Sequence, residues 1–134
     1  MDDRERYDEG LALRRAVLGD AHVDRSLGNL NDFNRTFQDF MTRYAWGEIW
    51  TRPGLPRHTR SLITLAMMVA LNREDEFRMH VRAGFNNGVT RAEMEEVLLQ
   101  TAIYCGLPAA NNAFHWAQTV FASVDADAAS EGKA

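Results

Sequence analysis

Apolar side chains recur every three or four residues along most of this chain, which is the spacing of one buried helix face. The pattern predicts about six helices, at residues 4–18, 31–46 and 57–72, then one that ends at "NNG" (86–88), and two more at 90–104 and 109–124. Two glycines and two prolines predict a loop at 47–56, "GEIWTRPGLP". No segment alternates like a strand, so we expect an all-α, single-domain helical bundle over residues 1–124 and a disordered tail at 125–134.

The helix predicted at residues 57–72 is apolar around almost its whole circumference, in "LITLAMMVAL". One small domain has too little core to bury every face of such a helix. The helix is therefore predicted to lie centrally in the domain and also to face another subunit, which makes the chain a homo-oligomer.

His80 lies in the middle of a predicted buried face that also contains Phe77, Val81 and Gly84. An imidazole in such a place is most often a core residue with one ring nitrogen bonded to a carbonyl. A catalytic role is the alternative, and the residues alone leave both open. Glu76, one turn earlier, favours the catalytic role because its carboxylate is placed to contact the ring.

The predicted loop and the helix start after it carry large aromatic rings and charges. The residues of interest are Trp46, Glu48, Trp50, Arg52, Arg57 and Arg60. Such a mixture suits a pocket that holds a small anion against an apolar wall. A surface loop anchored by its tryptophans, with solvated charges, is an equally good interpretation of the composition. Tyr104, next to the turn at 106–108, offers a hydrogen bond, although a core or capping role explains it as well.

Charge and cysteine content exclude several classes of function. The net charge of −4 and the pI of about 5.5 do not indicate a nucleic-acid or anionic-membrane surface. Cys105 is the one cysteine, so the chain has no internal disulfide, and its place at a helix end predicts a buried, inert thiol. The histidines lack the spacing of a metal site. With a charged start, "MDDRERYDEG", and no long apolar run, a cytoplasmic protein is the simplest expectation.

Three stretches, "RYAWGEIWTRPGL", "HVRAGFNNGVT" and "EEVLLQTAIYCGLPAANNAF", resemble the carboxymuconolactone decarboxylase family, with similarity from about residue 30 to 121. The resemblance implies a helical fold that assembles into ring-like trimers or hexamers. It also implies a cofactor-independent decarboxylation of a dicarboxylate lactone, 4-carboxymuconolactone, to 3-oxoadipate enol-lactone in the β-ketoadipate pathway of protocatechuate catabolism.

The family it resembles belongs to a wider superfamily that also contains alkylhydroperoxidase D-like redox enzymes. Those enzymes carry a Cys-x-x-Cys pair and a histidine four residues after the second cysteine. On this chain the histidine falls on His80, but the two thiol positions fall on Arg73 and Glu76, and a glutamate of the preceding helix falls on Ser61. Because neither thiol position holds a cysteine, the chain has no thiol pair that could reduce a peroxide. A redox role for Cys105 with an external thiol is a weaker alternative.

The resemblance implies a role for each candidate residue. His80 is the expected proton donor, and Glu48 is a second proton-handling or orienting group. Arg52, Arg57 and Arg60 are candidates for holding the carboxylates, since a guanidinium matches a carboxylate with two hydrogen bonds. The remaining expected substrate-binding residues are Trp46, Trp50, Glu76 and Tyr104. A decarboxylase of a related lactone or keto acid, and a non-catalytic helical oligomer that binds a small anion, remain the alternatives.

Overall fold

The computed structural model of the chain describes residues 1–132, which contain seven α-helices, one π-helix and no β-strand. The all-α fold class is thereby confirmed. The chain divides into two compact units, Met1–Arg60 and Ser61–Ala134, with the boundary inside one helix. The expectation of a single domain over residues 1–124 stays a prediction.

The N-terminal unit contains α1 (Asp3–Leu18), α2 (Asp20–Gly28), α3 (Arg35–Met41), a π-helix (Thr42–Trp50) and the start of α4 (Arg57–Ala70). Two glycines allow α1 and the π-helix to pack backbone against backbone. A Cβ on Gly10 would lie 2.1 Å from the carbonyl oxygen of Thr42, and a Cβ on Gly47 would lie 2.2 Å from that of Arg6. No other residue fits at either position, so these glycines set the distance between the two helices.

Three sequence predictions for this unit are wrong. The short α2 is missing from them, because its nine residues carry few apolar side chains. The helix expected at 31–46 begins only at Arg35, since the side chain of Asn31 accepts hydrogen bonds from the backbone at Phe33 and Asn34 and closes a turn there. The predicted loop begins after Trp50, because Gly47–Trp50 belong to the π-helix.

The C-terminal unit contains the rest of α4, then α5 (Glu74–Asn86), α6 (Arg91–Tyr104) and α7 (Leu107–Gly132). One apolar cluster joins all four helices, and its buried members are Leu65, Val69, Phe77, Val81, Val89, Met94, Leu98, Ala113, Ala117 and Val120. The predicted capping box is present, because Thr90 accepts from the Glu93 N–H and Glu93 accepts from the Thr90 N–H.

The end of α7 differs from its prediction. The helix continues past residue 124 to Gly132, so residues 125–132 are helical rather than disordered, while residues 133 and 134 lie outside the described part. Alanines make this segment a good helix former. Its aspartates also meet arginines of the same unit, since Arg82 Nη1 lies 2.9 Å from Asp127 and Arg91 pairs with Asp125.

Candidate functional site

The π-helix carries the two tryptophans that the sequence singled out. Trp46 is buried and Trp50 is half-buried, and their rings stack with centroids 5.0 Å apart and planes 29° apart. The helix ends at Trp50, where the Thr51 hydroxyl donates a 2.6 Å hydrogen bond to the Gly47 carbonyl. This wider helix type is rare and is found often at functional sites.

An open groove of about 630 Å³ lies beside Trp50 in the N-terminal unit. One wall is the turn after the π-helix and the start of α4, with Trp50, Arg52 and Arg57. The opposite wall is a single face of α1, formed by Glu9, Ala12, Leu13 and Ala16. The groove therefore combines an aromatic ring, two guanidinium groups and one carboxylate.

Arg60 supports the same loop from α4. Its Nη2 lies 3.4 Å from the carbonyl oxygen of Arg52, to which it donates a hydrogen bond. Three of the expected substrate-binding residues thus line one groove, and a fourth contacts its rim. The sequence analysis did not predict Glu9 as a site residue. The one indication was the pair of small side chains, Ala12 and Ala16, on the same face of α1, since small residues leave room for another group to pack or bind.

Glu48, on the π-helix, is engaged by α1. Its carboxylate accepts a hydrogen bond from Arg6 Nε at 3.2 Å, and Arg6 also lies 3.1 Å from Asp3. The hydrogen bond that Arg6 donates to Glu48 is the largest of the effects that raise the pKa of the Arg6 guanidinium. The guanidinium carbon also lies 5.6 Å from the centroid of the Tyr44 ring. A carboxylate held in this way is suited to orient neighbouring groups.

His80 lies in the C-terminal unit, near the middle of α5. It is 8% exposed, and Phe77, Val81 and Gly84 on the same helix face are also buried, as predicted. Glu76 is exposed in the first turn of α5. Within this unit the structure thus buries the imidazole beside apolar residues of its own helix and leaves the Glu76 carboxylate exposed.

A buried polar pair in the C-terminal unit was not predicted. Asn87, the residue that caps the C-terminus of α5, donates a 2.7 Å hydrogen bond from Nδ2 to Ser61 Oγ on α4. Ser61 is fully buried and Asn87 is 8% exposed. The pair joins residues 26 positions apart, so no local pattern in the sequence could have indicated it.

Tyr104 and Cys105 lie at the end of α6. Tyr104 is 80% exposed, and together they border a smaller groove of about 330 Å³ with residues of α4. Cys105 is exposed, so the expectation of a buried thiol is wrong. The physical reason is that Cys105 follows the last residue of α6 as its C-cap, so it lies at the end of the helix and not within the buried stretch from Met94 to Thr101.

Two features are absent from residues 1–132. No group of three or more histidine, cysteine, aspartate or glutamate side chains in this part of the chain is arranged to hold a metal ion. Nor does any helix there combine the length and the apolar character needed to cross a membrane.

Comparison with known proteins identifies the family. The chain is 61% identical over 121 residues to 4-carboxymuconolactone decarboxylase of Acinetobacter baylyi, covering 90% of each protein. It is 43% identical over 105 residues to nitrosuccinic acid decarboxylase of Metarhizium robertsii, covering 78% of this chain and 73% of that protein. A 4-carboxymuconolactone decarboxylase sequence from Pseudomonas putida is 62% identical over 48 residues, which are 36% of this chain and all of that sequence. The sequence model of the carboxymuconolactone decarboxylase family matches residues 35–119, and this chain belongs to that family.

Proposed function

We propose that this protein decarboxylates 4-carboxymuconolactone to 3-oxoadipate enol-lactone and CO₂, without a cofactor, as a carboxy-lyase of the β-ketoadipate pathway. The observation that carries the proposal is the 61% identity to an enzyme named for this reaction, which extends over 90% of both chains. The groove and the buried histidine support it, because they offer the chemical groups that the reaction needs.

The reaction needs no external electron acceptor. When the bond between the ring carbon and its carboxylate breaks, CO₂ leaves and the electron pair spreads through the ring double bond to the lactone carbonyl oxygen. The resulting dienolate takes up one proton at a ring carbon to give the enol-lactone. A protein can accelerate these steps by binding two carboxylates, stabilising the oxyanion and delivering the proton.

We assign the proton delivery to His80. Histidine is the side chain that proteins use most often as a general acid. The burial of His80 supports this role, since a site away from water strengthens a hydrogen bond to a developing oxyanion. Glu48 on the π-helix is proposed as an orienting group, because its ion pair with Arg6 favours orientation over proton transfer. Glu76 is kept as a candidate for substrate binding.

We assign the binding of substrate carboxylates to the groove of the N-terminal unit. Arg52 and Arg57 line it, and Arg60 holds the loop at Arg52, which supports a role for all three arginines. The stacked rings of Trp46 and Trp50 are proposed as the apolar wall beside the carboxylates. Tyr104 is kept as a further candidate for a hydrogen bond to the substrate.

The experiment that tests the function is a coupled assay. The carboxylactone is generated from 3-carboxy-cis,cis-muconate by a cycloisomerase, purified protein is added, and CO₂ and ultraviolet absorbance are followed. Turnover without added metal or nucleotide is expected. Nitrosuccinic acid is assayed in parallel, because a relative 43% identical to this chain is named for its decarboxylation. Faster turnover of nitrosuccinic acid would replace the proposed substrate, and inactivity of the folded protein on both acids would contradict the proposal.

Replacing Arg57 by glutamine is expected to raise the KM for the lactone about 10- to 100-fold. The reason is that a hydrogen bond to a charged group contributes about 1.5–3 kcal/mol. The measurement is steady-state kinetics, with Arg4→Gln as the control because Arg4 is exposed on α1 and does not line the groove. An unchanged KM in the Arg57 variant would remove Arg57 from the carboxylate site.

We also propose that the protein is a ring-like homo-oligomer, a trimer or a hexamer. Support comes from large apolar side chains exposed on α4, on the turn that directly follows it and on α6 of the C-terminal unit, namely Ile63, Met67, Leu71, Leu99, Ile103 and Tyr104. A groove of about 430 Å³ lies between the same two helices. Exposed apolar surface of this kind is typical of subunit contacts.

Light scattering coupled to gel filtration tests this assembly. The wild type is expected at three or six times the mass of the chain, and Ile103→Glu is expected to lower the mass because it places a charge in the proposed contact. Ala122→Glu, at an exposed position of α7, is the control and should keep the wild-type mass. A monomeric wild-type protein would overturn the proposal.

A further inference from the structure

Helix α5 is tied to α4 at both of its ends. At the N-terminal end, the backbone N–H groups of Asn72 and Arg73 donate to the carbonyls of Val69 and Met68, at 3.1 and 2.9 Å. Asn72 takes the left-handed conformation, with φ of 57°, that makes this short connection possible. At the C-terminal end, the side chain of Asn87 donates to Ser61 Oγ at 2.7 Å.

His80 lies midway between these two ties. It is seven residues after Arg73 and seven before Asn87, which is about 10 Å of helix in each direction. A spacing of seven residues is two turns, so His80 and Asn87 share the buried face of α5. A hydrogen bond from Asn87 to α4 therefore restrains both the rotation of α5 about its axis and its displacement along α4, and both motions would move the imidazole.

Stability alone does not explain the polar pair. The Ser61 side chain is completely buried, and Asn87 Oδ1 is a buried acceptor without a hydrogen-bond donor among residues 1–132. Burying a polar atom without a partner lowers stability, and two apolar side chains would pack here without that cost. A hydrogen bond differs from an apolar contact because it fixes one relative position of the two helices, and buried polar groups can contribute this kind of specificity.

We propose that Asn87 and Ser61 form a positioning pair that holds α5 in the register at which His80 delivers its proton. The inference rests on the proposed function for the rate, but the placement of the ring can be measured independently. Neither residue is assigned to contact the substrate. Their effect on the reaction passes through the position of His80.

The test uses the full-length protein with Ser61→Ala, Asn87→Ala and the double variant. In each single variant kcat is expected to fall about tenfold with KM changed less than twofold, since a small misplacement of a catalytic group is enough to slow the chemical step. The double variant should lose no more than either single variant, because the two residues act as one unit. The ¹⁵N and ¹H resonances of the His80 ring should shift in all three variants.

Two further variants complete the test. Val120→Ala truncates a buried side chain of α7 in the same core, so it should reduce stability without moving the His80 resonances or kcat. Ser61→Cys keeps a side chain of the same shape, slightly larger and with a weaker acceptor, and it should show smaller changes in the same direction if Ser61→Ala does not fold. Unchanged His80 resonances in a folded Ser61 variant would overturn the inference. If the His80 resonances shift in the variants but the wild-type protein shows no decarboxylation, the positioning of His80 by the pair is supported and the proposed function is rejected.

Discussion

Replacing His80 by glutamine is expected to lower kcat about 10²- to 10⁴-fold while the protein folds and assembles as before. Glutamine has a similar size and can still form a hydrogen bond, but it has no proton to give to the dienolate near neutral pH. The buried site has room for it, because the position already holds a polar ring that is 8% exposed. The measurements are kcat in the coupled assay, the circular dichroism spectrum and the mass in solution.

The matched control is His115→Gln, which removes an exposed imidazole from α7 of the same unit. Its kcat should stay within about twofold of the wild-type value, because surface substitutions away from a site have small effects. If His80→Gln keeps wild-type kcat, then another group delivers the proton. If it instead loses its fold or its assembly, then His80 has the structural role that the sequence left open.

Replacing Gly47 by alanine is expected to destabilise the N-terminal unit by about 3 kcal/mol, the upper end of the range of about 1–3 kcal/mol that extra atoms in a close-packed core typically cost. The added Cβ would lie 2.2 Å from the carbonyl oxygen of Arg6, and both atoms belong to backbone that cannot move aside by a rotamer change. The π-helix would have to separate from α1, which would also widen the groove between Trp50 and the α1 face. Denaturant unfolding followed by tryptophan fluorescence measures the effect.

Gly28→Ala is the control for this substitution. A Cβ at Gly28 meets nothing within 4 Å, and the residue ends an α-helix, so alanine there should be neutral or slightly stabilising. Gly10→Ala should resemble Gly47→Ala, because its Cβ would meet the Thr42 carbonyl oxygen at 2.1 Å. If Gly47→Ala unfolded at the same denaturant concentration as the wild type, the backbone contact between α1 and the π-helix would not exist in solution.

Helical periodicity predicted much of this fold, because amphipathic helices bury one face and carry recognisable caps. The capping box at Thr90 and the buried face around His80 are examples. Features that depend on tertiary contacts were missed. The π-helix lies where α1 packs closely against Gly47. The spacing of apolar residues within one segment cannot predict such a contact with a distant helix. The helical end of α7 was missed because its salt bridges to Arg82 and Arg91 join distant parts of the sequence.

The residues of the candidate site also fall into those that the local sequence predicted and those that only tertiary packing brings together. Trp50, Arg52 and Arg57 were predicted from their composition and their closeness in the sequence, and the structure places them along one groove. Glu9 lies more than forty residues earlier in the chain, so only the packing of α1 brings it to that groove. One helix pattern also misled, since Phe33, Phe37 and Phe40 have helical spacing, yet they are 97%, 62% and 56% exposed.

The two walls of the groove differ in their relation to the family. Trp50, Arg52 and Arg57 lie within residues 35–119, the part that matches the family as a whole, whereas the α1 wall with Glu9 lies before it. A change in the first helix thus alters the shape and charge of one wall of the groove while Arg52 and Arg57 stay in place. With this groove proposed as the carboxylate site, the first helix is a separate module through which we expect the substrate preference of this protein to be redesigned.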